Sequence, residues 1–347
     1  VCKQARRNTR IKCSRSISRI STPVMKDLIK IETMEAKNRL RIEYMIGNYC
    51  NYKCLYCGDY ANGGDTRWPN DYESLIKHFT HLLDFYVSNG RDRFEVNLLG
   101  GEPTLWPNVS KFARDLKAMY NVKVTMTTNG SRTIRWWETN AKAFDKILFS
   151  YHHKEADLPH FINVLDTVYD QGIPMNTLVM MDPTVWDGCI DAIEQMKQSK
   201  SPWFICAMEV HPPKYTTEQR EIFKDHIKRR PPIVRLVKDE WENITKRKTK
   251  AIFSDNSKKR VERNYFSTND LNDFKGWMCN IGIENINIQK SGQITGVCGN
   301  FLYGEQQHYN LYDPKFTEIF NPQLVPSRCT KTGCWCQPEI LMTKWKL

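Results

Sequence analysis

Three cysteines stand close together in the amino-terminal part of the chain, where they can bind one metal centre. Cys50, Cys54 and Cys57 lie within eight residues, directly after a predicted β-strand. Thiolates are the ligands with which proteins hold iron–sulfur clusters. Three thiolates leave one iron of a four-iron cluster without a protein ligand, and catalytic metal sites keep such a position for a substrate. The spacing therefore predicts a catalytic cluster.

The same three thiols would also suit a structural zinc ion, which takes four ligands. His78 and His81 follow in the sequence and could complete that set. Since these histidines are three residues apart on a predicted amphipathic helix, we interpret them first as ordinary helix residues.

Two further motifs follow predicted strands. In the first, Gly100 and Gly101 allow the backbone to approach a ligand closely, because they carry no Cβ. Glu102 supplies an acceptor for an ammonium group, and Pro103 stiffens the turn. In the second, Asn129 stands in a Thr-Asn-Gly segment, although Asn-Gly is also a common turn dipeptide.

The C-x3-C-x2-C spacing and the Gly-Gly-Glu-Pro turn resemble the signature of the radical S-adenosylmethionine (SAM) superfamily. The resemblance implies that Cys50, Cys54 and Cys57 are catalytic and hold a [4Fe–4S] cluster whose open iron chelates SAM. An electron donor such as flavodoxin or ferredoxin would reduce the cluster, and the 5′-deoxyadenosyl radical released from SAM would remove a hydrogen atom from the substrate. The resemblance places these residues at SAM: Tyr56, Gly100, Gly101, Glu102, Pro103, Asn129 and Ser150.

Five more cysteines occur near the carboxyl end: Cys279, Cys298, Cys329, Cys334 and Cys336. The first two flank a predicted hairpin at 283–294, and the last three have the spacing C-x4-C-x-C. This region resembles the SPASM and twitch auxiliary-cluster domains of radical SAM enzymes, although a SPASM domain carries seven cysteines. The resemblance implies one auxiliary [4Fe–4S] cluster, with a zinc site on the same thiols as the alternative.

The elements that must position these residues alternate along the chain. The predicted strands are 40–46, 94–99, 122–127, 147–151, 174–180 and 203–210, and the predicted helices are 71–89, 108–119, 133–143, 159–170, 186–198 and 216–229. Six consecutive β/α units indicate a parallel sheet with right-handed crossovers. We expect an α/β fold, a partial (β/α)6 TIM-like barrel with a small carboxyl-terminal Cys-rich α+β domain. The motifs follow the carboxyl ends of the strands, where such sheets carry their chemistry.

Composition divides the chain further. Residues 1–24 are basic and contain no acidic residue, and we interpret them as a disordered or non-native extension, with Met25 as the start and a transit-type peptide as the alternative. We expect the barrel at 25–230, a bridging segment at 231–275 and the cluster domain at 276–347. Without 1–24 the chain has 44 basic and 39 acidic residues, so its charge gives little support for nucleic-acid binding.

The grouped cysteines indicate a reducing, cytoplasmic setting. The sequence contains no run of about 18 apolar residues, so it predicts no membrane span. Cys189 and Cys206 are expected to be buried structural thiols. We predict an enzyme whose substrate is a peptide or protein side chain, with a small molecule or a nucleotide base as alternatives. The competing class is a non-catalytic iron–sulfur or zinc module. A pure electron carrier uses four protein thiolates per cluster, and the first loop offers three.

Overall fold

The computed structural model describes residues 26–200, 205–209, 215–219, 221, 248–262, 265–266, 269–296, 302, 309–334 and 340–347. The predicted extension at 1–24, Cys298, Cys336 and much of the predicted bridging segment lie outside the described residues. The last predicted β/α unit is described only in part.

The described strands are β1 Leu28–Thr33, β2 Arg39–Met45, β3 Arg93–Leu99, β4 Val122–Thr128, β5 Lys146–Tyr151, β6 Met175–Met181, β7 Ile205–Glu209, β8 Lys248–Phe253, β9 Lys258–Glu262, β10 Met278–Cys279, β11 Asn285–Ile288, β12 Gln293–Thr295, β13 Tyr309–Asn310, β14 Ser327–Arg328 and β15 Lys344–Trp345. The described helices are α1 Asp59–Asn62, α2 Tyr72–Ser88, α3 Val109–Met119, α4 Ile134–Asn140, α5 Leu158–Asp170, α6 Trp186–Met196 and α7 Phe316–Ile319.

The larger sheet has the strand order β13-β12-β11-β2-β3-β4-β5-β6-β7. From β2 to β7 all neighbours are parallel and follow chain order, with one of the helices α2 to α6 between each pair. The α/β class and the parallel sheet are thus confirmed. In the described part of the chain the sheet is open between β7 and β13, which suits a partial barrel.

The carboxyl-terminal hairpin β11–β12 joins this same sheet. Strand β11 pairs in parallel with β2, so that Ile286 lies beside Ile42, and β12 continues antiparallel. The sequence indicated the hairpin but gave no sign of its partner strand. Residues 285–295 therefore extend the sheet that carries the cysteine loop.

A second sheet of six strands has the order β14-β10-β15-β1-β8-β9. Its described pairings are antiparallel and bring the two ends of the described chain together, with Ile31 opposite Lys344. Of the basic residues in the predicted bridging segment, Lys248, Lys250, Lys258, Lys259 and Arg260 lie on the hairpin β8–β9, which turns at Asn256 with a φ of 64°.

The helices cover one face of the parallel sheet with an aromatic core. Phe79 of α2 packs against Tyr44 of β2 and Phe112 of α3, with ring centroids 5.7 and 5.1 Å apart. Asp71 and Asp157 cap α2 and α5 by accepting hydrogen bonds from backbone N–H groups, which explains where these helices begin. Within the described residues, none of the helices combines the length and the apolar character needed to cross a membrane.

The opposite face of the sheet is polar. Strand register places Arg41 beside Glu95 and Glu43 beside Asn97, and Asn97 lies next to Thr125. The Asn97 amide donates to the Glu43 carboxylate at 2.7 Å, and Arg41 forms an ion pair with Glu43. Buried polar side chains persist when they bond to one another. This face leads to the carboxyl edge, where the predicted motifs lie.

The aromatic core gives the first prediction. Phe79→Ala should lower the free energy of unfolding by about 3–5 kcal/mol, because it removes a wholly buried ring between two others. Val87→Ala on the same helix is the control, since Val87 is 42% exposed. Chemical denaturation followed by circular dichroism measures both variants. Equal losses in the two would contradict the packing described.

Candidate functional site at the carboxyl edge of the sheet

The cysteine loop follows β2 and is held by backbone hydrogen bonds to the turn after β3. The Gly101 N–H donates to the Gly47 carbonyl and the Glu102 N–H donates to the Tyr49 carbonyl, each at 2.9 Å. Ile46 donates to the carbonyl of Leu99, which extends the parallel pairing into the loop. The loop therefore starts from a defined position beside the Gly-Gly-Glu-Pro turn.

The glycines at this contact are required by the packing of backbone on backbone. A Cβ on Gly101 would overlap the carbonyl of Tyr49, and a Cβ on Gly47 would overlap the carbonyl of Arg67. The sequence suggested that the paired glycines make room for a ligand. Gly100 and Gly101 do line a cavity, but the side on which Gly101 lacks its Cβ faces the cysteine loop.

Glu102 is buried below this turn, with 3% of its surface exposed. Its carboxylate accepts hydrogen bonds from the Thr104 N–H at 3.0 Å, the Thr104 hydroxyl at 2.6 Å, the Thr128 hydroxyl at 2.7 Å and the Asn129 N–H at 2.7 Å. Burial raises the pKa of this carboxyl, while the four donors favour its charged form. The carboxylate connects the ends of β3 and β4. It also caps the short 3-10 turn that begins at Pro103.

A cavity of about 180 Å³ opens beside the loop. Seven of the predicted residues line it, namely Cys50, Cys54, Cys57, Gly100, Gly101, Asn129 and Ser150. Its wall does not include Tyr56, Glu102 or Pro103. The lining also contains Tyr52, Ala61, Asn62, Leu99, Thr127, Thr128 and His152. No sequence motif marks Ala61 or Asn62. They lie at the cavity because the short helix α1 places them there.

The three thiols are half-buried and influence one another. Burial raises the pKa of Cys50 to about 11, and the neighbouring Glu102 and Cys57 contribute in the same direction. Burial likewise raises the pKa of Cys54 to about 11, with further contributions from Glu155, Cys57 and Cys50. A cationic centre beside the thiols would reverse this preference and favour thiolates.

The arrangement of the thiols distinguishes a cluster from a single metal ion. Across the parts of the chain that the structure describes, no three His, Cys, Asp or Glu side chains gather around one point as a single ion requires. Zinc draws its ligands to about 2.3 Å from one centre. The thiolates of a [4Fe–4S] cube bind different irons, so three thiols that line one cavity without gathering around a single point fit a cluster better.

The histidines of the zinc alternative lie elsewhere. The ring Nδ1 of His78 is 2.7 Å from the Leu311 carbonyl oxygen, and the Nε2 of His81 is 3.4 Å from that of Phe320. Both rings pack against Phe316 of α7. They connect α2 to the carboxyl-terminal region and take no part in the cysteine loop.

His152 also lines the cavity, although no sequence motif marks it. Its Nδ1 lies 3.3 Å from the Cys54 sulfur and 2.8 Å from the Tyr56 hydroxyl, and its ring stacks on that of Tyr56. Burial lowers the pKa of His152 to about 4, so the ring is neutral at pH 7. Tyr56 thus supports the wall of the cavity from behind, through His152.

Two asparagines connect the loop to the end of β4. The Asn129 amide donates to the Asn51 side-chain oxygen at 3.0 Å and approaches the Cys50 sulfur at 3.8 Å. Asn51 in turn donates to the Ser131 hydroxyl at 3.0 Å. Asn129 therefore has a contact beyond that of an ordinary Asn-Gly turn.

The carboxyl-terminal hairpin reaches the cysteine loop from the other side. Lys290, in the turn between β11 and β12, places its ammonium 2.7 Å from Asp65, and Asn48 bonds to the same carboxylate. An exposed ion pair of this kind contributes little stability. The ion pair instead positions the hairpin, because it brings residues 289–292 to the loop that follows Cys57.

The three described carboxyl-terminal cysteines lie near one another. Cys279 on β10 stands between Ser327 of β14 and Lys344 of β15, and the Lys344 ammonium is 3.7 Å from the Cys334 sulfur. The Cys329 N–H donates to the Trp277 carbonyl, two residues before Cys279. As expected, Cys189 is buried, and its thiol lies 3.5 Å from the Met180 carbonyl. The side chain of Cys206 lies outside the described residues.

The chain is similar in sequence to known proteins. The sequence profile of the Radical SAM superfamily matches residues 44–194. The chain is 23% identical over 216 residues to a probable GTP 3′,8-cyclase of Thermoplasma volcanium, covering 58% of this chain and 61% of that protein. It is 31% identical over 88 residues to an S-adenosylmethionine-dependent nucleotide dehydratase of a Thermoplasmatales archaeon, covering 25% and 28%.

Among solved structures, native anSMEcpe with bound AdoMet is similar with a TM-score of 0.50 and 14% identity, covering 82% of this chain and 80% of that chain. At this identity the likeness shows a shared fold. The chain spans about six tenths of the length of the cyclase that it matches.

The glycine contact gives the second prediction. Gly101→Ala should destabilise the fold by about 1–3 kcal/mol, because its Cβ meets the backbone of Tyr49, and should reduce the iron bound after anaerobic reconstitution. Gly58→Ala is a matched control, since Gly58 directly follows Cys57 and its added Cβ meets no atom within 4 Å. Thermal unfolding and iron analysis check both. Normal iron binding by Gly101→Ala would contradict the contact.

Proposed function

We propose that this chain, which belongs to the radical SAM superfamily through residues 44–194, cleaves SAM reductively and abstracts a hydrogen atom from a polar small molecule of the nucleotide class. One observation carries the first part of the proposal. The thiols of Cys50, Cys54 and Cys57 line a single cavity together with Gly100 and Gly101, at the carboxyl edge of a parallel sheet.

Cys50, Cys54 and Cys57 would hold the [4Fe–4S] cluster, which fits their position around one cavity. When bound, the cluster supplies one electron to the sulfonium of SAM, and the resulting 5′-deoxyadenosyl radical takes a hydrogen atom from the substrate. Asn129, Ser150 and Thr128 present polar atoms to the same cavity and are proposed to orient SAM. An electron donor of the flavodoxin or ferredoxin class is part of this proposal.

Other residues of the chain would shape and shield the site. Tyr52 and His152 form an aromatic wall, with ring centroids 6.0 Å apart. His152 is neutral near pH 7, so it adds no positive charge beside the sulfur of Cys54. Such walls exclude water and strengthen the electrostatic interactions inside a site. Glu102 acts indirectly, because it holds the turn and Asn129 in place without lining the cavity.

The polar face of the sheet supports the choice of substrate. Leu99, Thr127 and Ser150 line the cavity, and they lie on the face that carries Asn97 and Thr125 one step further down the strands. In the cavity wall itself, Thr127, Thr128 and Ser150 present hydroxyl groups and Asn129 an amide, which suits a ligand with many polar atoms.

The names of the curated relatives point the same way, since they act on GTP or on a nucleotide. A peptide or protein side chain, which the carboxyl-terminal cysteines suggested, stays a prediction.

We also propose one auxiliary [4Fe–4S] cluster in the carboxyl-terminal region. Cys279 lies on β10, Cys329 directly follows the neighbouring strand β14, and Lys344 of β15 contacts the Cys334 sulfur, which supports a shared centre. Cys298 and Cys336 are the remaining candidates for ligands. Through the contact of Lys290 with Asp65, this region also reaches the cysteine loop.

The two proposed clusters give the third prediction. The reconstituted protein should bind roughly eight irons per chain, and dithionite should release 5′-deoxyadenosine from SAM. Replacing Cys50, Cys54 and Cys57 together with Ala should abolish this release and leave about half the iron. Cys189→Ala, which changes a buried thiol outside the cavity, should retain both properties. Tightly bound zinc without iron would refute the proposal, and complete loss of iron in the triple variant would refute two separate sites.

The substrate class gives the fourth prediction. Incubation of the reduced holoenzyme with SAM and deuterated ribonucleotides should transfer deuterium into 5′-deoxyadenosine, because the abstracted atom is carried on its 5′ carbon. Mass spectrometry of 5′-deoxyadenosine detects the label. A deuterated peptide mixture serves as the parallel sample. Label that comes from the peptides and not from the ribonucleotides would exclude the nucleotide class and support the expectation from the cysteines.

A further inference from the structure

A second and larger cavity, of about 630 Å³, lies at the amino ends of the parallel strands, away from the cysteine loop. Its wall is formed by parts of β1 and β2 with their connection, by Arg91 before β3, by Lys250 of β8, by Asn280, Glu284 and Asn285, and by residues 341–343. It shares no lining residue with the cavity of the cysteine loop. Its volume is in the range of about 300–1,000 Å³ that small-molecule sites occupy.

Most of the carboxylates around this cavity are already engaged. Glu32 forms an ion pair with Lys30 at 2.7 Å, and Glu95 forms one with Arg39 at 2.6 Å. Glu284 accepts hydrogen bonds from the Asn280 amide and from the N–H of Thr343. The acidic groups at the cavity are therefore neutralised or hydrogen-bonded within the protein.

Three cations in the cavity wall form no direct ion pair within the described residues, although Glu32 acts electrostatically on Lys250 and Glu284 acts on Arg91 over longer distances. Among the described residues, Lys37, Arg91 and Lys250 have no carboxylate within 4.0 Å. Arg91 is half-buried and donates to the Arg39 carbonyl at 3.0 Å, and burial lowers the pKa of its guanidinium. A partly desolvated cation is stabilised when an anion approaches it.

A buried amide adds an independent observation. Asn285 lines the cavity with only 1% of its surface exposed, and neither its side-chain nitrogen nor its oxygen has a hydrogen-bond partner within the described part of the chain. The same holds for the Nε of Arg39, another wall residue. Because buried polar atoms are nearly always bonded, such atoms in a cavity wall indicate a polar ligand.

The geometry points to a binding site for a phosphorylated small molecule at the amino ends of the strands, separate from the site of SAM cleavage. The Arg91 guanidinium can donate two parallel hydrogen bonds to phosphate oxygens, and Lys37 and Lys250 add positive charge around them. Met34, Leu341 and Met342 give the cavity an apolar part that suits the uncharged portion of such a ligand.

Isothermal titration calorimetry of the holoprotein with pyrophosphate tests this site in the absence of SAM. Wild type should bind one pyrophosphate per chain, more tightly than inorganic phosphate or malonate. Lys37→Gln/Lys250→Gln, which changes two exposed side chains, should weaken binding about tenfold or more. Lys77→Gln/Lys142→Gln removes the same charge from exposed positions outside the cavity and should bind as wild type does.

Arg91→Gln should weaken pyrophosphate binding further, and Arg91→Lys should restore part of it, with melting temperatures recorded for both. Absence of pyrophosphate binding to wild type, or equal weakening by the two lysine pairs, would overturn the site. Malonate binding as tightly as pyrophosphate would overturn the phosphate class. Since no SAM is present, these outcomes are independent of whether the chain cleaves SAM.

Discussion

The buried carboxylate of Glu102 is the group on which the arrangement of the site depends. It accepts four hydrogen bonds, two from Thr104, one from the Thr128 hydroxyl and one from the Asn129 N–H. A buried charge is tolerable only when its acceptor capacity is used in this way. Without it, these buried donors would lose their partner, at about 1–3 kcal/mol for each unsatisfied group. The ends of β3 and β4 therefore adopt one relative position.

Backbone hydrogen bonds fix the cysteine loop relative to the ends of these two strands. Glu102 and Gly101 donate their N–H groups to carbonyls of the segment just before Cys50, and this approach is close enough to exclude a side chain at Gly101. Asn129, fixed by its own bond to Glu102, then reaches Asn51 and the Cys50 sulfur. A chain of short contacts thus leads from one carboxylate to the thiols. The thiols themselves are half-buried with raised pKa values, and a cationic centre beside them would favour their thiolate forms.

The strands β2 to β6 and the helices α2 to α5 were predictable because they are patterned along the sequence, and their ends lie within three residues of the predicted positions. The cysteines, the paired glycines and Asn129 were predictable because motifs mark them, and Ser150 because it ends the fourth predicted strand. The parallel pairing of β11 with β2 was not, since it joins segments about 240 residues apart and depends on tertiary packing.

For the same reason the sequence did not show β1 beside β15 or the cavity at the amino ends, whose walls come from distant segments. Glu102 was identified as a site residue, but its inward direction and its four donors are properties of the folded chain. His152 carried no motif and reaches the thiols only because β5 ends beside the loop.

The central claim is that Cys50, Cys54 and Cys57 leave one iron of their cluster open for SAM. Electron paramagnetic resonance of the dithionite-reduced holoprotein, with SAM carrying 15N in its amino group, tests it most directly. We predict that SAM shifts the spectrum of the reduced cluster and that pulsed measurements show a 15N coupling to the cluster. An unchanged spectrum without 15N coupling, at a SAM concentration that saturates binding, would contradict the account.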